Sequence, residues 1–538
     1  MCSSDLTITG SGFGLTLGGS SGGTINSIIG TGTGTLTKQD SGTWTLAGAN
    51  TYTGGTTISN GIAKAGISST GSVTNGAFGT GTVTVSSGGA IDLNTYTVAN
   101  ALSLAGTGYS SSGALYNSHA TTGATASGNI TLSDDTTIKN STGTGTLTLS
   151  GTINGAKALT ITNSTGGVTL NGIIGGGTAL SSLSISGNST LGANVTTSGT
   201  QTYSGVVTLG GDRTLTGSTI TNSSTITGAG FSLTETGNAV FNGAISGVNN
   251  LSVSGTTSLG ADVSTTGTQT YTGDVTVNSA ARTLTTTGDN VTFSGTVNSD
   301  SGGARNLTIA TGTAATVQFG GTVGNSNALG AIAITGTSAA LDLNAAISNA
   351  SSLSVSGASD LGASVTTSGA QTYTGAVTLS ADSTLTSSSS GNITFSSTVD
   401  SSGSARALTV NTSGTTTFGG AVGANSPYLA SVTTNSGGTT VINGGSVKTT
   451  GTQTYGDAVT LGADTTLTGS AFTFSNTVNA VDATDRNLTF GTGSGNATFA
   501  GAVGTTFNLG TITNIAGQTL TFSDAVTANT IEIGRAHV

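Results

Sequence analysis

The chain has 538 residues and a formal net charge of −10, and Asp, Glu, Lys and Arg together make up only 6% of it, against about 25% in an ordinary soluble protein. With 89 glycines, one proline and one cysteine, and with Ser, Thr and Asn in place of the good helix formers, the composition excludes long helices, a collagen repeat and a disulfide framework. No apolar run reaches the length of about 18 residues that a membrane-spanning helix needs. The acidic balance without a basic cluster argues against nucleic acid as a partner.

Read in chain order, the two ends come first, because they differ in texture from everything between them. The start, Met1-Cys2-Ser3-Ser4-Asp5-Leu6, can be written GTG TGC TCT TCC GAT CTC, with GTG as an initiating Met. Its reverse complement, GAG ATC GGA AGA GCA CAC, encodes Glu-Ile-Gly-Arg-Ala-His, the residues 532–537. Residues 1–6 and 532–538 are therefore expected to be a sequencing adapter read from both ends of an insert, and are set aside from fold reasoning. The chain between them is then an interior fragment, with His119 its only histidine and a net charge of −9 once Asp5, Glu532 and Arg535 are removed.

Residues 7–104 and 128–531 share one texture. Short segments such as Val207-Thr208-Leu209, Leu307-Thr308-Ile309 and Phe472-Thr473-Phe474 alternate apolar residues with Thr. That period of two, with β-branched residues, predicts strands of three to six residues, separated by Gly, Asn, Asp and Ser in turns. Residues 105–127, with Tyr109, Tyr116 and His119, lack the alternation and are expected to form an irregular loop or a junction between two solenoid parts.

From residue 180 onward the chain repeats itself. Leu-Ser-(Ile/Val)-Ser-Gly, then Leu-Gly-Ala, then Gln-Thr-Tyr occurs at Leu183/Leu191/Tyr203, Leu251/Leu259/Tyr271 and Leu353/Leu361/Tyr373, with the same internal spacings in each copy; a degenerate fourth copy ends at Tyr455. A second block begins at Arg305, Arg406 and Arg486 and leads to Phe-(Gly/Ala)-Gly-x-Val-Gly at Phe319, Phe418 and Phe499. The offset from Arg to Phe drifts by single insertions from copy to copy, and such insertions belong in turns.

A strand this short cannot bury its own apolar face, but the same strand from successive coils can stack. The expected fold is all-β: a parallel β-helix, or β-solenoid, with three short strands in a coil of about 20 residues and a rise of about 4.8 Å per coil. Roughly 21–26 coils would make an elongated rod on the order of 110 Å long, with the Gln-Thr-Tyr and Phe-Gly-Gly positions recurring at fixed places along it. Low charge fits, because like charges would otherwise face one another at strand spacing. Scarce proline fits as well, because the ladder uses nearly every backbone N–H.

No catalytic residue, cofactor site or metal site emerges. His119 reads as a solvated loop residue, and Asp134-Asp135 as a turn ahead of the strand containing Ile138. The Gly-rich stretches lack the Lys-Ser/Thr and helix of a phosphate loop, and the calcium-binding nonapeptide of secreted solenoids is absent. Arg305, Arg406 and Arg486 could line a recognition stripe, but the favoured role is capping turns through carbonyls or through Asp300, Asp400 and Asp485. Tyr203, Tyr271, Tyr373 and Tyr455, each several coils from the next, could form an aromatic strip for sugars; a structural role at a turn or core edge is favoured. Trp44 reads as a core or edge filler.

At residues 34–61 a more specific pattern stands out: Leu36, Thr37, Lys38, Gly42, Thr43, Leu46, Gly48, Asn50, Thr51, Tyr52, Gly54, Thr56 and Ile58. These residues resemble the autotransporter-associated β-strand repeat of Gram-negative passenger domains, with Gln39-Asp40 and Trp44 as departures. Residues 180–530 more loosely resemble the repeats of filamentous-haemagglutinin-like exoproteins. The resemblance implies a right-handed parallel β-helix exported to the cell surface or secreted, often an adhesin, with an outer-membrane translocator elsewhere in the full-length protein or as a partner. Surface glycans or proteins of host or bacterium are the implied ligands. Two alternatives share the fold. An ice-binding solenoid would use Thr-x-Thr arrays such as Thr146-Leu147-Thr148 and Thr214-Leu215-Thr216. A polysaccharide-degrading enzyme would need clustered Asp, Glu, Lys or Arg in a groove.

Overall fold

A computed structural model describes residues 6–140, 143–515 and 518–534. Of the two terminal segments set aside above, Leu6 and Glu532–Gly534 are among them; Met1, Cys2, Arg535 and His537 lie outside. No α-helix occurs among the described residues, and the one helical turn is a 3-10 turn at Tyr109–Ser111. The strands are mostly short, and those of three residues commonly bury their first and third side chains, as in Leu147–Leu149, Gln201–Tyr203 and Val377–Leu379. This is the alternation seen in the sequence, now facing a core.

The chain divides into two compact units, Met1–Thr257 and Ser258–Val538. In the first, one buried column runs Leu36, Thr56, Val83, Leu102, Ile130, Ile153. A second runs Leu115, Ile138, Ile161, Ile185, Tyr203, Asn222, Phe241, and a third Leu147, Val168, Ser189, Val207, Ile226, Ile245. Each step is a parallel pairing with the equivalent strand of the next coil, so each unit is a β-solenoid. Coil length is not constant: the coil that pairs Leu183 with Gln201 is much shorter than the one that pairs Leu102 with Ile130. The extra residues sit in turns or at register shifts such as those at Leu104/Gly106 and Thr216/Thr219, because an insertion in regular strand would turn its buried side chains outward.

Residues 105–127 form part of this stack. Leu115–Asn117 pairs with Ile91–Asp92 below and Ile138–Asn140 above, and Ala124–Ala126 pairs with Leu147–Leu149. Irregular backbone is confined to the segments around the 3-10 turn and around His119. Asp134 and Asp135 do not precede a strand in a turn; they lie within Ile130–Asn140, at a register shift between Leu104 and Gly106 of the paired strand.

The second unit also holds three columns. The first contains Tyr271, Phe293, Phe319, Leu343, Leu361 and Leu379. The second contains Leu284, Ile309, Ile334, Val355, Tyr373, Phe395 and Phe418. The third contains Leu385, Val410, Thr434, Tyr455, Phe474 and Phe499. The last glycine of the Phe-Gly-Gly block is fixed by geometry: Gly324, Gly423 and Gly504 have φ of 69°, 65° and 69°. A Cβ there would meet the carbonyl oxygen of Asn349, Lys448 or Thr527 on the next coil, so only glycine fits.

Candidate functional site

The four Gln-Thr-Tyr strands build one recurring buried polar cluster. Gln and Tyr, two apart on a strand, both point inward. Gln371 Nε2 donates to Thr386 O at 2.9 Å, with Thr367 Oγ1 at 3.2 Å and Val365 O at 3.3 Å. Gln371 Oε1 accepts from the Tyr373 hydroxyl at 3.1 Å, and Thr367 Oγ1 donates to Gly369 O. The same bonds recur around Gln201/Tyr203, Gln269/Tyr271 and Gln453/Tyr455. Each Gln is 0% exposed and each Tyr at most 1%, and burial pushes all four tyrosines far above their ordinary pKa. The tyrosines therefore lie in the core rather than at its edge, because the strand's own Gln satisfies the hydroxyl.

Three of these tyrosines head stacked aromatic ladders. Tyr271, Phe293 and Phe319 stack at 5.3 and 5.2 Å; Tyr373, Phe395 and Phe418 at 5.4 and 5.4 Å; Tyr455, Phe474, Phe499 and Phe522 at 5.1, 4.6 and 4.8 Å. The ladders stand in three different columns of the second unit, so the repeat positions do not recur at one fixed place. The sequence repeat is not a whole number of coils, and successive copies land on successive faces. The same shift places Arg305, Arg406 and Arg486 at the starts of strands on three different faces, so they form no stripe.

Their contacts also differ. Arg305 Nε meets Asp300 at 3.0 Å. Arg486 approaches Asp482 at 3.8 Å rather than Asp485, whose carboxylate takes Asn529. Arg406 makes no pair with Asp400, which instead accepts from Asn425. Two arginines outside the block, Arg213 and Arg282, do cap carbonyls, those of Leu191 and Leu259 among them.

Around residues 36–62 the polar side chains of the first unit also turn inward. Lys38 is 0% exposed, and its Nζ donates to the carbonyls of Gln39, Asp40 and Asn60 at 2.6, 2.6 and 2.9 Å; burial lowers its pKa. Asn50 accepts from Ile29 N and donates to Ala77 O. The Tyr52 hydroxyl lies 2.6 Å from Thr56 Oγ1, which donates to Phe78 O. Trp44 fills the core edge beside Gly23, with Nε1 donating to Gly18 O at 3.0 Å. Here a positive charge and three polar side chains organise the turns that connect three coils.

His119 is exposed, and its Nδ1 accepts from the backbone of Thr122 at 3.0 Å. Asp134 pairs with Lys157 at 3.3 Å, and Asp135 accepts from Ala158 N. Outside the core, the surface is dominated by threonine columns. Thr125, Thr148, Thr169, Thr190, Thr208 and Thr227 stack in register on the first unit. Thr384, Thr409, Thr433, Thr454, Thr473 and Thr498 do so on the second. The column beside Thr148 is not threonine: Thr146 is followed by Gly167, Asn188 and Val206, one residue before the paired strands of the next coils. A two-column hydroxyl surface occurs where Thr214 and Thr216 lie over Thr234 and Thr236 and continue as Ser252 and Ser254, and again where Thr372 and Thr374 lie between Ser354 and Ser356 and Thr394 and Ser396. Like charges do stack at one place among the described residues: Asp342 pairs in register with Asp360, and Gln318 Nε2 donates to Asp342 at 2.7 Å.

Among the described residues no group of three or more His, Cys, Asp or Glu is placed to hold a metal ion, and no helix is long and apolar enough to cross a membrane. The concavity around Thr146, Gly167 and Asn188 is shallow and lined mainly by Thr, Gly, Ser and Asn, and another is lined largely by Leu520, Phe522, Ile531 and Ile533. No curated protein and no solved structure shows significant similarity to the chain. Residues 36–62, the segment organised by Lys38, Asn50, Tyr52 and Thr56, match the family model described as the passenger-associated-transport-repeat, so the chain carries an autotransporter-type passenger repeat set in a β-solenoid.

Proposed function

We propose that this chain is a length of an exported passenger, displayed on the surface of a Gram-negative bacterium, that serves as an adhesive or structural stalk in cell adhesion, aggregation or biofilm formation. The observation that carries this reading is the passenger repeat at residues 36–62, built into the same parallel stack as the coils that follow it. The charged side chains support a structural role over a hydrolytic one, because Arg305, Arg406 and Arg486 are dispersed over three faces. The threonine columns support a stalk over an ice-binding surface, because the two long ones, Thr125–Thr227 and Thr384–Thr498, are each a single column. Surface glycans or proteins of host or bacterium are the proposed ligands, and an outer-membrane β-barrel, fused or separate, the proposed translocator.

The test is to express the chain behind a secretion signal and ahead of an outer-membrane β-barrel in a Gram-negative host. Immunolabelling of intact cells should detect it outside, and the cells should aggregate or adhere more than cells carrying the barrel alone. Retention inside the cell would overturn the passenger reading; surface display without any change in adhesion or aggregation would overturn the adhesive one.

A further inference from the structure

The core of the first unit contains a carboxylate with no cation beside it. Glu235 lies on a buried column between Leu215 and Val253, and Asn222 lies between Tyr203 and Phe241 on the next. Glu235 and Asn222 are both 0% exposed. Asn222 Nδ2 donates to Glu235 Oε1 at 2.9 Å. The remaining polar atom of each side chain, Glu235 Oε2 and Asn222 Oδ1, is buried and has no partner. Both are acceptors when the carboxyl is ionised. Turning the amide over does not help, since its nitrogen would then lose the carboxylate. A proton on the carboxyl turns one of the two orphan acceptors into a donor.

We propose that Glu235 is carried as the neutral acid, with Oε2–H donating to Asn222 Oδ1, so that the two side chains form a two-point acid–amide pair that makes this coil sensitive to alkali. On the strands laddered to Glu235 or to Asn222, the other titratable or charged side chains are Tyr203 and Arg213. The Tyr203 hydroxyl is committed to Gln201 Oε1. Arg213 is committed to the carbonyls of Leu191 and Asp212. Neither neutralises a carboxylate at Glu235. Desolvation by burial accordingly pushes the Glu235 pKa up to about 8, the Asn222 hydrogen bond acting against it.

The sign follows from linkage. Between the ordinary glutamate value of 4.5 and about 8, the folded coil holds a proton that the opened chain has lost, so stability falls as pH rises through that window and levels off above it. One proton corresponds to about a tenfold rise in the opening constant per pH unit. Over the window this accumulates to roughly a thousandfold.

The test compares the whole chain with its Glu235→Gln variant, which can make the same two-point pair without titrating. Hydrogen exchange is read at each pH from 4.5 to 9 on peptides covering Arg213–Asn222 and Leu233–Phe241, with Leu329–Thr337 as the reference. The ratio of wild-type to variant exchange in the two test peptides should climb with pH to about 8 and then flatten, while the reference ratio stays level. Infrared titration of the wild type supplies a second readout that does not depend on the variant folding: a protonated-carboxyl band should persist at pH 7 and vanish near pH 8–9. A pH-independent exchange ratio, or no protonated carboxyl at pH 7, would overturn the proposal.

Discussion

Removal of Gln371 gives the sharpest test of the recurring Gln-Thr-Tyr cluster. Leucine is one heavy atom shorter but fits an inward position, so Gln371→Leu retains most of the packing. It strands the Tyr373 hydroxyl, which is 0% exposed and has Gln371 Oε1 as its partner at 3.1 Å. An unsatisfied buried donor costs about 1–3 kcal/mol. The carbonyl of Thr386 and the hydroxyl of Thr367 each lose one contact, but Thr367 Oγ1 keeps its bond to Gly369 O. The expected destabilisation of the coil is therefore about 2 kcal/mol, most of it from the hydroxyl. Adding Tyr373→Phe removes the stranded group and should return the coil to within about 1 kcal/mol of wild type, because replacing both partners by apolar groups of similar shape is close to neutral. Coils of a solenoid open locally, so the assay is hydrogen exchange on peptides covering Ile347–Val355, Gln371–Tyr373 and Ile393–Phe395, with the four proteins of the double-mutant cycle side by side. If Gln371→Leu is neutral, or if Tyr373→Phe makes it worse rather than better, the cluster is not held by mutual satisfaction of buried polar groups.

Phe395→Ala, which removes the middle ring between Tyr373 and Phe418, should cost about 3–5 kcal/mol, and Phe395→Leu markedly less; equal losses in denaturant-dependent exchange would show that the aromatic ring itself, and not the volume it fills, carries the stabilisation. Lys38→Met leaves the carbonyls of Gln39, Asp40 and Asn60 without their shared donor, a loss of about 2–4 kcal/mol, and limited proteolysis should then cut first within residues 36–62; an unchanged cleavage pattern would remove Lys38 as the organiser of the passenger repeat. Asp300 is held below its ordinary carboxylate pKa by the hydrogen bond from Ser279 N and then by Arg305. Its contribution to stability is present above the ordinary value of 3.8 and is lost as pH falls through the depressed folded value. A carboxyl-carbon NMR titration should place the Asp300 midpoint below 3.8 and move it upward in Arg305→Ala; a midpoint at or above 3.8 in the wild type contradicts the assignment.

The sequence by itself determined the class of fold and the local structure, because both depend on neighbours along the chain. Leu-Thr-Leu can hide two side chains and show one only as a strand, and strands this short have shelter only against copies of themselves. The passenger repeat was legible for the same reason: Lys38, Asn50, Tyr52 and Thr56 act within a few coils of one another. What only the tertiary structure decided depends on coil lengths summed over long stretches. Copies of Gln-Thr-Tyr that look equivalent in sequence fall on different faces, since coils of unequal length do not divide the repeat evenly. That shift disperses the arginines and the aromatic ladders, and no local pattern records it. The pairing of Glu235 with Asn222 was hidden in the same way. The two residues are 13 apart in sequence and carry no motif; they meet because Leu233–Phe241 lies on Arg213–Asn222 in the register that the preceding turns happen to set.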